Sequence, residues 1–267
     1  MKQEPQTWHY GLVAQWWAEF NVDGPEIAFF RKVIERYGQP ALDVACGTGR
    51  LLLPYLRAGL DVDGCDISPD MLALCRDKAA REGLDPAPSL YQQAMHGLDL
   101  PRTYRTIFAC GSFGLGGDRQ MDLEALRRFY HYLQPGGVLA FDNDLPYDNA
   151  RTWQYWLKEN RSQLPRAWGP SGDRRRASDG TEYELRSRVL DLDPLEQIYT
   201  FQMRAERWRD NQLIAQEEHT LKGCMYFKNE VVMMLEQAGF RDIAVYGGYT
   251  DVEATAEDTS LVFIARK

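Results

Sequence analysis

The stretch Ala41-Leu42-Asp43-Val44-Ala45-Cys46-Gly47-Thr48-Gly49-Arg50 constrains the fold more than any other part of this chain. A short apolar run breaks into two glycines and resumes as an apolar, helix-compatible segment, which reads as a strand, a tight turn and a helix start. Glycine lets backbone approach a ligand closely, and a helix start offers unpaired N–H groups, so the unit can cradle a nucleotide. Asp66 ends the next apparent strand, Val62-Asp63-Gly64-Cys65-Asp66-Ile67, where an acid is placed to accept hydrogen bonds from two ribose hydroxyls. The pyrophosphate ligands are disfavoured. A dinucleotide fingerprint needs a third small residue where this chain has Arg50, and no Lys-Ser or Lys-Thr follows the glycines as phosphate loops require. What remains is a ligand with a ribose and no pyrophosphate.

The rest of the chain alternates strands and helices through about residue 142. A helix is expected over Leu51 to Ala58 with Pro54 in or near its first turn, and another after Ser68-Pro69-Asp70, with Met71, Leu74, Cys75 and Ala79 inward and Gly83 as its stop. Strands follow at Pro88 to Ala94 and Thr103 to Cys110. Met121 to Leu133 reads as a helix buried along Leu123, Leu126, Phe129 or Tyr130, and Leu133, closed by Gln134-Pro135-Gly136-Gly137 before a strand at Val138 to Asp142. Val231 to Ala238, Phe240 to Tyr246 and Leu261 to Arg266 supply a last helix and two last strands.

The sequence D-x-A-C-G-T-G at Asp43 to Gly49, Asp66, and L-x-P-G-G at Leu133 to Gly137 before an apolar strand together resemble the motifs of class I S-adenosylmethionine-dependent methyltransferases, small-molecule type. The resemblance covers about the first half of the chain. It implies an α/β fold: a Rossmann-like, mostly parallel seven-stranded sheet whose last strand inserts antiparallel. It implies S-adenosyl-L-methionine as cofactor, S-adenosyl-L-homocysteine as product, and in-line attack by an N, O or C atom on the sulfonium methyl. Tyr10-Gly11-Leu12-Val13-Ala14-Gln15-Trp16-Trp17 is similar to the family's aromatic lid pattern, with Gly11 in place of its acid. Carried onto this chain, the cofactor residues are Tyr10, Trp17, Asp43, Ala45, Gly47, Gly49, Asp66, Ile67, Met71, Gln93, Ala94, Met95 and Cys110. Gln93 stands where the family usually has an acid for the adenine amino group, so its amide oxygen or the backbone must accept instead. Asp142, Asp144 and Asp148 read as ordinary strand-end caps, and no metal is expected.

Residues 147–224 break the rhythm. Alternating stretches at Thr181 to Leu190, Gln197 to Arg209 and Leu213 to Cys224 predict an antiparallel β insertion, and the resemblance implies that it serves as a substrate flap. Three segments result: 1–146, an N-terminal lid with the cofactor-binding half; 147–224, the flap; and 225–267, completing the Rossmann-like domain. Side-chain parity puts Tyr183, Leu185, Val189, Tyr199, Phe201, Met203, Leu213, Ala215 and Leu221 on the packed face, with Arg207, Glu217 and His219 beside them. Polar groups on an apolar face are bonded or functional, so Glu217 and His219, with Tyr10, are the candidate catalytic bases. A structural pairing of Arg207 with Glu217 is the alternative.

Composition bounds the partners. The net charge of −8 over 267 residues argues against nucleic acid. The one basic run, Arg174-Arg175-Arg176, reads as a solvated loop. No run approaches a membrane span, the start Met1-Lys2-Gln3-Glu4-Pro5 lacks a signal-peptide core, and five scattered cysteines form no disulfide framework. A cytoplasmic monomer or homodimer acting on a small-molecule methyl acceptor is therefore expected. The competing readings are a non-catalytic S-adenosylmethionine-binding protein and another transferase on this fold, such as an aminopropyl transferase or a cyclase.

Overall fold

A computed structural model describes residues 7–84 and 89–267. Helices α1 (Gly11–Phe20) and α2 (Pro25–Tyr37) precede β1 (Ala41–Val44), and α3 (Leu52–Arg57), β2 (Val62–Asp66), α4 (Pro69–Arg81) and β3 (Leu90–Gln92) follow. After a single 3-10 turn, Met95–Gly97, come β4 (Tyr104–Ala109), α5 (Arg119–Tyr132) and β5 (Leu133–Asp144). Short helices α6 (Ala150–Trp153) and α7 (Lys158–Arg161) lead into β6 (Asp173–Arg176), β7 (Glu182–Asp193), β8 (Ile198–Arg209) and β9 (Gln212–Cys224). The chain closes with α8 (Lys228–Ala238), β10 (Arg241–Gly247) and β11 (Ser260–Arg266). Pro88, expected to open the third strand, lies outside the described residues.

The main sheet has seven strands in the order β10-β11-β5-β4-β1-β2-β3. β1 to β5 run parallel, and β11 inserts antiparallel between β5 and β10. Because β1 pairs with β2 on one side and β4 on the other, sheet growth reverses there and a crevice opens over the carboxyl ends of β1 and β4. Both faces are covered. α5 and α8 bury Leu126, Phe129, Val231 and Leu235 on one side, and α2, α3 and α4 bury Phe30, Ile34, Leu52, Leu72 and Cys75 on the other. Each fully buried Phe or Leu contributes roughly 2–3 kcal/mol of transfer free energy, which holds the layers together. Among the described residues no helix is long and apolar enough to cross a membrane.

Local chemistry sets the helix ends. Ser68 caps α4, its hydroxyl accepting from the Met71 amide at 3.2 Å. Pro54 is the third residue of α3, where a missing N–H leaves no intrahelical bond unmade. Two buried stripes differ from expectation. On α4 Leu72, rather than Leu74, joins Met71, Cys75 and Ala79. On α5 the expected Leu126, Phe129 and Leu133 are buried and Leu123 is only partly so, while Asp122, Ala125 and Tyr132 join the stripe, which therefore includes a carboxylate. The expected stop at Gln134 to Gly137 is absorbed into β5 itself, with an irregular register against β4 between Tyr104 and Thr106.

The second sheet has four antiparallel strands, β6-β7-β8-β9, where the sequence predicts three. The added edge strand is the Arg174-Arg175-Arg176 run. Arg174 and Arg176 pair with Glu182 at 2.7 and 2.6 Å, Arg174 lies over the Trp208 ring and Arg175 over the Trp16 ring, so cross-strand partners hold it straight. Leu185, Met203 and Ala205 face Leu12, Val13 and Trp16 of α1, as parity requires. Leu213 does not follow its parity. A register shift at Arg207/Trp208 pairs Leu213 with Trp208, and Leu213 is 46% exposed near the hairpin tip.

Candidate active site

The glycines of the β1 turn take the conformations their chemistry allows. Gly47 and Gly49 have φ of 55° and 84°, and Ala45 is also left-handed at 57°. A Cβ on Gly49 would lie 2.7 Å from Leu53 Cγ and 2.8 Å from Cys75 Sγ, so the turn packs tightly on α3 and α4. Asp66, 8% exposed, braces it: one carboxylate oxygen accepts from the Gly47 amide at 2.9 Å and the other from the Ser68 amide at 2.8 Å. Burial raises the Asp66 pKa, and these backbone donors oppose the rise.

A cavity of about 160 Å³ opens at this sheet edge. Asp43, Ala45, Cys46, Gly47 and Thr48 form one wall, with Asp66, Ile67, Met71, Gln93, Ala94, Met95, His96 and Cys110 around it. Thr7, His9, Trp17 and Asn21 come from the lid, and Ser112, Leu115, Gly117, Met121, Asp122 and Leu221 close the far side. Two buried polar atoms on these walls, Asp43 Oδ2 and Ser112 Oγ, have no partner among the described residues. Such atoms are costly unless a ligand satisfies them. Burial, then the Asp66 charge, pushes the Asp43 carboxyl well above the usual carboxylate range. Burial holds the His9 imidazole at about 4, so it is neutral at pH 7.

Two sequence-derived candidates, Gln93 and Gly49, sit differently from expectation. Gln93 lines the cavity, but its amide is spent on the Asp99 peptide, accepting from the amide and donating to the carbonyl at 2.8 Å each, so an adenine contact there falls to the backbone. Cys110 lines the cavity, and burial and Asp142 push its thiol up to about 12, so it offers the ligand an uncharged wall. Asp142 accepts from the Gly111 amide at 2.6 Å and from the Tyr249 hydroxyl, fixing the turn after β4. Gly49 lies behind the turn rather than on the cavity wall.

Tyr10, Glu217 and His219 are brought together, but around the start of α1 and off the cavity walls. Tyr10 has no capping side chain of its own; Asp70 accepts from the Gly11 amide at 2.8 Å and Glu217 from the Leu12 amide at 2.9 Å. His219 Nε2 lies 3.3 Å from the same Glu217 oxygen. Carboxylates belong at a helix N-terminus, where free amides and the helix dipole favour them. Glu217 is thus a cap supplied by the flap rather than a base in the cavity, and Arg207 is not its partner. Glu217→Ala is expected to cost about 1 kcal/mol, the usual loss for a cap, and to speed proteolysis within residues 8–20. Limited proteolysis followed by mass spectrometry checks this; unchanged cleavage contradicts the capping role.

The strand-turn-helix with its braced acid, set at the switch point of a seven-stranded sheet with an antiparallel last strand, is the architecture that the resemblance to class I S-adenosylmethionine-dependent methyltransferases implies. Residues 41–137 match the family model described as a methyltransferase domain. A Geobacillus sp. (strain WCH70) protein named as a methyltransferase is 26% identical over 97% of this chain and 99% of its own length. The S-adenosylmethionine-dependent methyltransferase of Clostridium acetobutylicum superposes with a TM-score of 0.70 at 16% identity, covering 94% of this chain and 96% of that one. The sugar N-methyltransferase KedS8 of a Streptoalloteichus species also superposes with a TM-score of 0.70, at 18% identity over 100% of this chain and 95% of its own. Residues 41–137 are thus similar to a methyltransferase domain, and the chain as a whole has the fold of the S-adenosylmethionine-dependent methyltransferases.

Proposed function

We propose that the protein methylates a nitrogen atom of a small-molecule acceptor. The observation that carries this reading is the charge of the cavity. Asp66 and Asp122 line it, whereas the one arginine on its walls among the described residues, Arg50, is already paired with Glu26. A cavity so charged favours cations, and an amine acceptor arrives as one. The likeness in fold to a sugar N-methyltransferase supports the same reading.

The residues present fit S-adenosylmethionine. Asp66 would hold the ribose hydroxyls with the lone pairs left by Gly47 and Ser68, and the orphaned Asp43 Oδ2 would take a donor from the methionine end. Ile67, Met71, Ala94 and Met95 offer surface for the adenine beside the backbone at Gln93, with Ala45, Gly47 and Cys110 lining the remaining wall. When bound, the cofactor supplies a methyl group on a sulfonium sulfur that leaves as a neutral thioether, so the protein's tasks are positioning and exclusion of water. Trp17 and His9 of the lid close one side, and Leu221 brings the 147–224 flap to the other.

The test is S-adenosylhomocysteine formation by purified protein offered methylamine, ethanolamine and glucosamine against methanol, ethylene glycol and glucose. Turnover with amines is expected. Turnover confined to the hydroxyl compounds, or none with any amine, refutes the nitrogen assignment.

A further inference from the structure

Asp122 is the fourth residue of α5, 3% exposed, and part of the cavity wall. The hydroxyl of Tyr226, itself fully buried, donates to Asp122 Oδ2 at 2.6 Å. The Tyr226 ring lies under the Arg119 guanidinium at 4.8 Å, and that guanidinium is tied to Glu230 at 3.1 Å and to Gln197 at 2.7 Å. The carboxylate is therefore held in one orientation by groups that do not neutralise it, and among the described residues no cation forms an ion pair with it. Its other oxygen, Oδ1, is turned toward Gly117, where a Cβ would stand 3.8 Å away, and Gly117 lines the same cavity. A buried carboxylate facing a cavity without a counter-ion is unfavourable unless a cationic ligand completes it. Ser112, whose orphaned hydroxyl also belongs to this cavity, supplies a further oxygen for an N–H donor.

We propose that Asp122 is a catalytic residue that binds the ammonium group of the acceptor and removes its proton, with Tyr226 as its positioning residue; this rests on the nitrogen reading above. In the step, one N–H bond of the ammonium breaks and an O–H bond forms on Asp122, while the electron pair stays on nitrogen and becomes the nucleophile. The proton passes to solvent when the product leaves. Burial lifts the Asp122 carboxyl to about 6, against the pull of its Tyr226 and Cys224 donors, so at pH 7 it is charged yet more basic than an exposed aspartate. The other charged or titratable groups around it are Asp118, the N-cap of its own helix, Arg119 on that helix, Tyr199 on β8, Cys224 at the end of β9, and His96 on the 3-10 turn that lines the cavity.

The experiment measures amine affinity by calorimetry in protein loaded with S-adenosylhomocysteine, at pH 5 and pH 7, for wild type, Asp122→Asn and Tyr226→Phe, using methylamine, ethanolamine and glucosamine. Wild type should bind at least one amine about tenfold more weakly at pH 5, where Asp122 is protonated. Asp122→Asn should bind weakly at both pH values, with kcat/KM down a hundredfold or more, in the range that general bases supply. Tyr226→Phe should move the pH midpoint upward, because it removes a donor that favours the carboxylate. An amine that is methylated and bound by Asp122→Asn as by wild type overturns the role of Asp122 alone. A pH dependence that persists in Asp122→Asn assigns the titration to another group, His96 first, and also overturns it. If Asp122→Asn fails to bind S-adenosylhomocysteine, Tyr226→Phe decides: an unshifted midpoint overturns the proposal. Absence of turnover with every amine removes the nitrogen reading and this proposal together.

Discussion

Asp66→Ala is expected to weaken S-adenosylhomocysteine binding by at least a hundredfold while leaving the protein folded. Asp66 holds the Gly47 amide at 2.9 Å and the Ser68 amide at 2.8 Å, so alanine loosens the β1 turn and the start of α4 as well as removing the ribose acceptor. Hydrogen bonds to a charged group contribute about 1.5–3 kcal/mol each, and about 2.7 kcal/mol already corresponds to a hundredfold. Stability should respond in the opposite sense to affinity. Because burial raises the Asp66 pKa, the folded chain binds this proton more tightly than the unfolded chain, and its charge costs stability as pH rises above the ordinary carboxylate range. The ligand-free variant should therefore lose less stability at pH 7, relative to wild type, than at pH 4. Calorimetry for affinity and denaturant titration at the two pH values check both halves. Unchanged affinity would remove Asp66 from the site.

Gly49→Val should destabilise the whole domain by about 3–5 kcal/mol, since it combines a side chain at positive φ with overpacking of a filled site. The φ of 84° disfavours any β-branched residue, and the new Cβ would stand 2.7 Å from Leu53 and 2.8 Å from Cys75, neither of which has room to move. Gly83→Ala is the control: its φ is also positive, at 65°, but nothing lies within 4 Å of the new Cβ. Urea unfolding should show a much smaller loss there. Equal losses at the two positions would mean that backbone conformation alone, and not packing beneath the turn, fixes Gly49.

The β1 turn and Asp66 were legible because each is dictated within a few residues, by glycines that must turn and by an acid ending a strand, whereas the seven-stranded sheet with its antiparallel last strand was legible only through the resemblance. What depends on distant partners was not. β6 has the composition of a solvated loop, and its ladder with β7 and the contacts of its arginines with Glu182, Glu184, Trp208 and Trp16 make it a strand. Parity placed Glu217 and His219 on the correct face of the flap, but could not reveal that α1, rather than an open cavity, is the layer they meet. Asp122 was hidden for the opposite reason. Helical periodicity sends an acid to solvent, and the partner that keeps this one inside, Tyr226, is 104 residues away. The sign of misplacement was present in the helix, whose apolar residues Ala125, Leu126 and Phe129 share the stripe on which Asp122 falls.

The central claim is that one cavity seats the cofactor against Asp66 and Asp43 and leaves the Ser112–Asp122 side for the acceptor. A crystal structure of the S-adenosylhomocysteine complex tests it most directly. The ribose hydroxyls should lie within hydrogen-bond distance of Asp66, the amino group of the homocysteine should meet Asp43 Oδ2, and the sulfur should face the side of the cavity that holds Ser112 and Asp122. A ribose bound away from Asp66, or a sulfur turned from Asp122, would contradict the account.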